Sequence, residues 1–102
     1  MEEKLTLAET AVLNCIPTKK PIFKEDIITR KDISEITGIS IREVSNIIER
    51  LRRHYPICSS RGIAGYWLGN REEALRFAQE CRSHAEGLLE TARNIEAMCF
   101  DE

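Results

Sequence analysis

No apolar run in the 102-residue sequence approaches the ~20 residues of a membrane helix, which argues against a membrane-spanning role. The first residues, Met1 to Lys4, are charged and lead into no hydrophobic signal core, so secretion is not expected. The four cysteines (Cys15, Cys58, Cys81, Cys99) are scattered with no C-x-x-C pair. That spacing argues against zinc and disulfides, and for reduced, buried thiols in a cytoplasmic protein. Catalytic signals are missing as well. His54 and His84 belong to no recognisable metal-ligand motif, and there is neither a phosphate-cradling glycine loop nor a nucleophile motif. The chain is therefore not expected to be an enzyme, and no metal, cofactor or small-molecule ligand is implied.

With 42% hydrophobic and 31% charged residues the chain suits a globular, helix-rich protein with room for one modest core. The stretch from Asp32 to Leu68 organises the rest. Thr29 is placed to cap a short helix, with Asp32 three positions on near its positive end. Gly38 ends that helix, since glycine tolerates the left-handed closing conformation. Ser40 caps the next helix at once, and Glu43 completes an S-x-x-E capping box. Two helices joined by Thr37-Gly38-Ile39-Ser40 make a helix-turn-helix. Val44, Ile47, Ile48 and Leu51 recur at helical spacing and predict one buried stripe. Ile33 and Ile36 are expected to face that stripe, and Ile39 to plug the turn. The opposite face carries Arg42, Ser45, Asn46, Glu49 and Arg53, side chains able to hydrogen-bond base edges or phosphates.

Tyr55 to Cys58 and Tyr66 to Leu68 are β-rich runs flanking the Gly- and Ser-containing loop Ser59 to Gly65, which predicts a hairpin. The alternation sends Tyr66 and Leu68 to one side and Trp67 to the other, where a lone Trp suits core or interface better than base stacking. The expected fold is mainly α with a small β-hairpin (α+β): a winged helix-turn-helix plus a long C-terminal helix. The segment GISIREVSNIIERLRRHYPICSSRGIAGYWLG, about a third of the chain, resembles winged-helix domains of small proteins encoded by phages and mobile elements. It is more loosely similar to winged helices of bacterial transcription regulators. The turn TGIS, the run YPICSS and the return strand GYWL carry the likeness, although Ser34 stands where many such domains have a small apolar residue. The resemblance implies binding of double-stranded DNA through Ser40, Arg42, Ser45, Asn46 and Glu49 of the second helix and Arg61 of the wing.

The net charge of −2 divides unevenly. Ser40 to Arg71 carries +4, Glu72 to Glu102 carries −5, and the first 39 residues carry −1. A basic centre suits one face meeting DNA, and places Arg50 and Arg53 in the candidate DNA-binding set. The competing reading is that Arg50, Arg52 and Arg53 only solvate a helix end and complement its dipole.

Thr6 and Glu9 form another capping box, opening a helix that Pro17 stops after about Ile16. Its expected inner face is Leu7, Ala8, Ala11, Val12, Cys15 and Ile16. A long irregular connection follows, in which Ile22-Phe23 and Ile27-Ile28 are expected to tuck into the core, the latter pair as a short strand beside the wing. Lys19, Lys20 and Lys24 sit in the same connection, either against phosphate or simply in solvent. Residues 1–69 thus form the DNA-binding domain, and 70–102 a dimerisation helix of the same compact unit. Asn70 caps that helix with Glu73 as partner. Ala74, Ala78, Cys81, Ala85, Leu88, Ala92, Ile95 and Cys99 alternate by four and three residues, a heptad seam that Leu75, Phe77, Leu89 and Met98 widen. At 1.5 Å per residue the helix runs about 40 Å and overshoots a compact winged helix. The expected interface of a homodimer is therefore Ala78, Cys81, Ala85, Leu88, Ala92 and Ile95; the alternative is that the helix folds back along the first helix of its own subunit. Two functions follow. One is a small, cytoplasmic, dimeric transcription regulator that binds DNA by sequence. The other is a winged-helix interaction module that docks on a replication or host protein without binding DNA.

Overall fold

Each of the four helices begins at a side chain that takes up amide groups the helix would otherwise leave free. The computed structural model of the protein describes residues 4–60 and 63–100. In chain order these form α1 (Leu7–Cys15), a single 3₁₀ turn (Lys24–Asp26), α2 (Arg30–Thr37), α3 (Ile41–Leu51), β1 (Ile57–Ser60), β2 (Ile63–Leu68) and α4 (Arg71–Phe100). The protein is mainly helical, with one antiparallel hairpin. Thr6 with Glu9, Thr29 with Asp32, and Asn70 with Glu73 are reciprocal capping boxes. The expected fourth box is only half made. Ser40 Oγ accepts the Glu43 amide at 3.2 Å, but the Glu43 carboxylate reaches Arg50 instead, at 3.4 Å.

The turn between α2 and α3 spans three residues, Gly38 to Ser40. Gly38 has φ +77°, which explains why glycine closes α2. Its N–H donates to the Ser34 carbonyl at 2.8 Å, and the Ser34 hydroxyl donates to the Ile39 carbonyl. Ser34 therefore has work that an apolar residue could not do: it ties the end of α2 to the turn.

Val44, Ile47, Ile48 and Leu51 are buried, and they meet Val12 and Ile16 of the α1 end, Ile33 of α2 and Ile57 of β1. Burying one such side chain is worth roughly 1.5–3 kcal/mol, against about 1 kcal/mol for a cap. The α3 stripe thus outweighs every local signal, and α1, α2 and the hairpin gather on it. The inner face of α1 differs from the expected one. Leu7 is 92% exposed and Ala8 is also exposed, while Leu5 and Leu13 pack at the core edge. With Val12 and Ile16 inward, the first turn of α1 points to solvent. Ile36, expected to face the stripe, is 67% exposed, and only Ile33 of α2 is buried; the Thr37 hydroxyl donates to the Ile33 carbonyl at 2.7 Å. Ile39 is partly buried in the turn, as its position predicts.

The hairpin corrects the expected strand limits. Ser59 and Ser60 belong to β1, and β2 begins at Ile63. Ile57 pairs with Leu68, Cys58 with Trp67 and Ser60 with Ile63, with a register shift between Cys58 and Ser60. One edge of β2 is held by the connection before α2: the Tyr66 amide donates to the Ile28 carbonyl at 3.0 Å, and the Leu68 amide to the Pro17 carbonyl at 2.7 Å. These two separate bonds replace the third strand expected at Ile27-Ile28. Ile28 does reach the core edge, but Ile22 and Phe23 are 87% and 65% exposed and do not. Trp67 is buried on the other side of the hairpin from Tyr66, with Lys20 Nζ 5.7 Å from its ring centre.

Glycine is required at 65 by this close approach. A Cβ there would lie 2.6 Å from Ile27 Cγ2 and 2.7 Å from the Ile28 carbonyl oxygen. Gly65→Ala should destabilise the protein by about 1–3 kcal/mol in urea unfolding. An unchanged midpoint would mean that the connection can move away from β2 at no cost.

Two caps also predict acid sensitivity. The Thr29 amide and hydroxyl hold the Asp32 carboxyl below its ordinary range, and the Thr6 amide, with Arg50 behind it, does the same for Glu9. Folded values that are lowered contribute stability that is complete above the unfolded carboxyl values and is lost as pH falls through the folded ones. Asp32→Asn combined with Glu9→Gln should flatten the decline in stability between about pH 5 and 3. An equally steep decline in the double variant would assign it to other carboxylates.

Candidate nucleic-acid interface

Because α3 buries one stripe, its opposite face is turned out by geometry rather than by choice. Arg42, Asn46 and Glu49 are exposed there and Ser45 is half-buried, whereas Arg53, expected on the same helix, is exposed in the turn that follows it, because α3 ends at Leu51. Among the described residues, the side chains of Arg42, Asn46 and Arg53 make no hydrogen bond or ion pair, although the Arg53 amide donates to the Arg50 carbonyl at 3.2 Å. Arg42 and Asn46 lie one turn apart, each able to make two parallel bonds to one base edge. Ser40, at the exposed N-terminus, already accepts the Glu43 amide but keeps its own hydroxyl proton.

The remaining candidates are engaged within the protein. Ser45 Oγ accepts from Arg30 Nη1 at 3.2 Å, which brings a cation from the start of α2 to the edge of the face. Sequence reading did not single out Arg30; its position at the first turn of α2 is the signal that would have found it. Arg50 pairs with Glu9 Oε2 at 3.3 Å and Glu43 Oε1 at 3.4 Å, so it joins α3 to α1. Glu49 pairs with Arg52 at 2.9 Å. Arg61 lies outside the described residues.

Arg52 is the residue that spacing alone undervalues. Its Nε donates to the Ile57 carbonyl at 3.1 Å, Nη2 to Ser59 Oγ at 3.2 Å, and Nη1 to Glu49. The guanidinium also stands 4.9 Å from the Phe77 ring centre and 5.7 Å from that of Tyr66. It thus links the end of α3 to β1 and to the second turn of α4. The three arginines after Glu49 therefore divide: Arg50 and Arg52 brace the fold, and Arg53 remains open to solvent.

On α4, Glu73, Ala74 and Phe77 are half-covered where the helix starts against the hairpin. From Ala78 to Phe100 every residue is exposed, including the seam residues Ala78, Cys81, Ala85, Leu88, Ala92 and Ile95. The fold-back along α1 that would cover this seam is not made. The same geometry corrects the expectation of buried thiols: Cys58 is buried and Cys15 half-buried, but Cys81 and Cys99 are exposed. Burial pushes the Cys58 thiol above its ordinary value, with the Glu73 carboxylate adding to the effect. Among the described residues no group of three or more His, Cys, Asp or Glu could hold a metal ion, and no helix is long and apolar enough to cross a membrane. No family model, curated protein or solved structure matches the chain.

If Arg52 braces the fold, Arg52→Ala should lower stability by about 1–3 kcal/mol and speed amide exchange in β1. Arg53→Ala should leave both unchanged. Equal stability of the two variants would remove the bracing role.

Proposed function

We propose that the chain is a winged-helix protein that binds double-stranded DNA by sequence, with α3 as the reading helix, and that it acts as a small dimeric transcription regulator. The observation that carries this reading is the outward face of α3, where the exposed side chains of Arg42 and Asn46 bond nothing among the described residues; that of Arg53, in the turn just after the helix, likewise bonds nothing there. Arginine and asparagine are the side chains that bond guanine and adenine edges in pairs. The order of three helices and a hairpin is that of a winged helix, in which the second helix of the turn enters the major groove. Two carboxylates near this face, Glu43 and Glu49, are each matched by an arginine, which reduces their repulsion of phosphate. Dimerisation through the seam of α4 belongs to the same reading, since its exposed Leu88, Leu89 and Ile95 need cover.

A second reading is a module that docks on another protein through this surface. Ile36 and Ile41, 67% and 47% exposed at the two sides of the turn, favour it.

Selection from random duplexes should yield a preferred site. At that site Arg42→Ala and Asn46→Ala should each cost about 1–3 kcal/mol and relax preference at one base pair, with thermal unfolding unchanged. Binding should weaken steeply as salt rises, because neutralised phosphates release counterions. Absence of binding to any duplex at low salt would favour the protein-docking module.

A further inference from the structure

We infer that two copies pair through α4 in antiparallel fashion, centred near Glu90, so that their DNA-reading bodies sit at opposite ends of a two-helix rod. This rests on the dimeric part of the proposed function and is independent of DNA binding. The seam consists of two rows with different sizes. One row is Ala78, Ala85, Ala92 and Cys99; the other is Cys81, Leu88 and Ile95, which is larger below Cys81. In a parallel pair each row meets itself, so layers of facing alanines would alternate with layers of facing Leu or Ile. In an antiparallel pair the small row of one helix meets the large row of the other, and every layer has similar volume. Close packing favours the second arrangement, because empty space between helices forfeits dispersion contacts.

Charge selects the same orientation and its register. Setting Leu88 against the partner's Ala92 also sets Ile95 against the partner's Ala85 and Cys81 against the partner's Cys99. In that register Arg82 falls beside the partner's Glu96, twice by symmetry, and Leu89 meets the partner's Leu89 at the centre. Flanking charges of this kind set partner orientation in paired helices. The parallel pair offers no such match: its flanking neighbours are Phe77 with Arg82, His84 with Leu89, and Thr91 with Glu96.

The position of the hairpin agrees with this register. Cover by the protein's own chain ends at Phe77, and the free length runs from Ala78 to Phe100. The partner's Phe100 then ends level with Glu80, three residues beyond Phe77, the last half-covered position of α4. Sliding the pair one heptad further along would drive the partner's Cys99 to the level of Ala74, which is covered beside Gly69 and β1. At 1.5 Å per residue the two Arg71 positions lie about 57 Å apart along the rod. That exceeds the ~34 Å of one DNA turn, so the two half-sites would not be neighbours in adjacent turns.

The test uses the full chain without DNA. Sedimentation should give a dimer at micromolar concentration, and Arg82→Glu or Glu96→Arg should each raise its dissociation constant about tenfold or more. The double variant should recover wild-type affinity. A short bismaleimide, to which each thiol adds across a double bond, should link Cys81 to the partner's Cys99 as mapped by mass spectrometry. Cys81→Ser or Cys99→Ser alone should then abolish the link between copies, since the remaining thiol faces no thiol of the partner. These residues are exposed, so the variants should fold as the wild type does. Like-with-like links that survive in one of the single variants would make the pair parallel and overturn the inference. A chain that sediments as a monomer throughout would remove the dimer itself, leaving the DNA-binding reading to its own test.

Discussion

Burial of Val44, Ile47, Ile48 and Leu51 is the constraint on which the other elements depend. A lone eleven-residue helix is marginal in water, so α3 exists because α1, α2 and β1 cover this stripe. Once the stripe is covered, the orientation of everything else on α3 follows. Its outward face cannot be buried by the same chain, its N-terminus is set by the turn at Gly38, and its last turn is held by Arg52 against β1. The candidate interface is thus a by-product of core formation. Arg42 and Asn46 are presented by the same geometry that hides Ile47.

The electrostatics of the protein are organised at close range. Arg50 connects Glu9 on α1 with Glu43 on α3, and Arg52 connects Glu49 with the hairpin. Exposed ion pairs are worth little on their own, a few tenths to 1 kcal/mol. The Arg52 contacts differ in kind, because the guanidinium also satisfies a β1 carbonyl and lies over the Phe77 ring. The +4 of the central stretch is therefore not all available to a partner, as two of its arginines are committed to neighbours within the chain.

What was legible in the sequence was local and periodic. Thr6, Thr29, Ser40 and Asn70 each mark a helix start correctly, and the α3 stripe is buried as its spacing requires. The α4 helix runs from Arg71 to Phe100, close to the expected limits. What failed depended on distant contacts. Ile36, Leu7, Ile22 and Phe23 are apolar and were expected inside, but a core of this size has room for only some of its candidates. The edge bonds from Tyr66 to Ile28 and from Leu68 to Pro17 were equally hidden, since backbone pairing between such distant residues leaves no pattern in either segment. At the candidate interface, composition pointed to a basic surface, but which arginines were free could not be read without knowing that Glu9 lies beside Arg50.

The boundary at Phe77 has a consequence for the life of the molecule. Beyond it, twenty-three residues of α4 lack cover from their own chain, so they miss the packing that supplies most helical stability. Its last turns should open and close readily, and open backbone is what proteases cut. A partner that covers the seam supplies the missing stability by mass action. Resistance to cutting within α4 would then report whether the seam is covered.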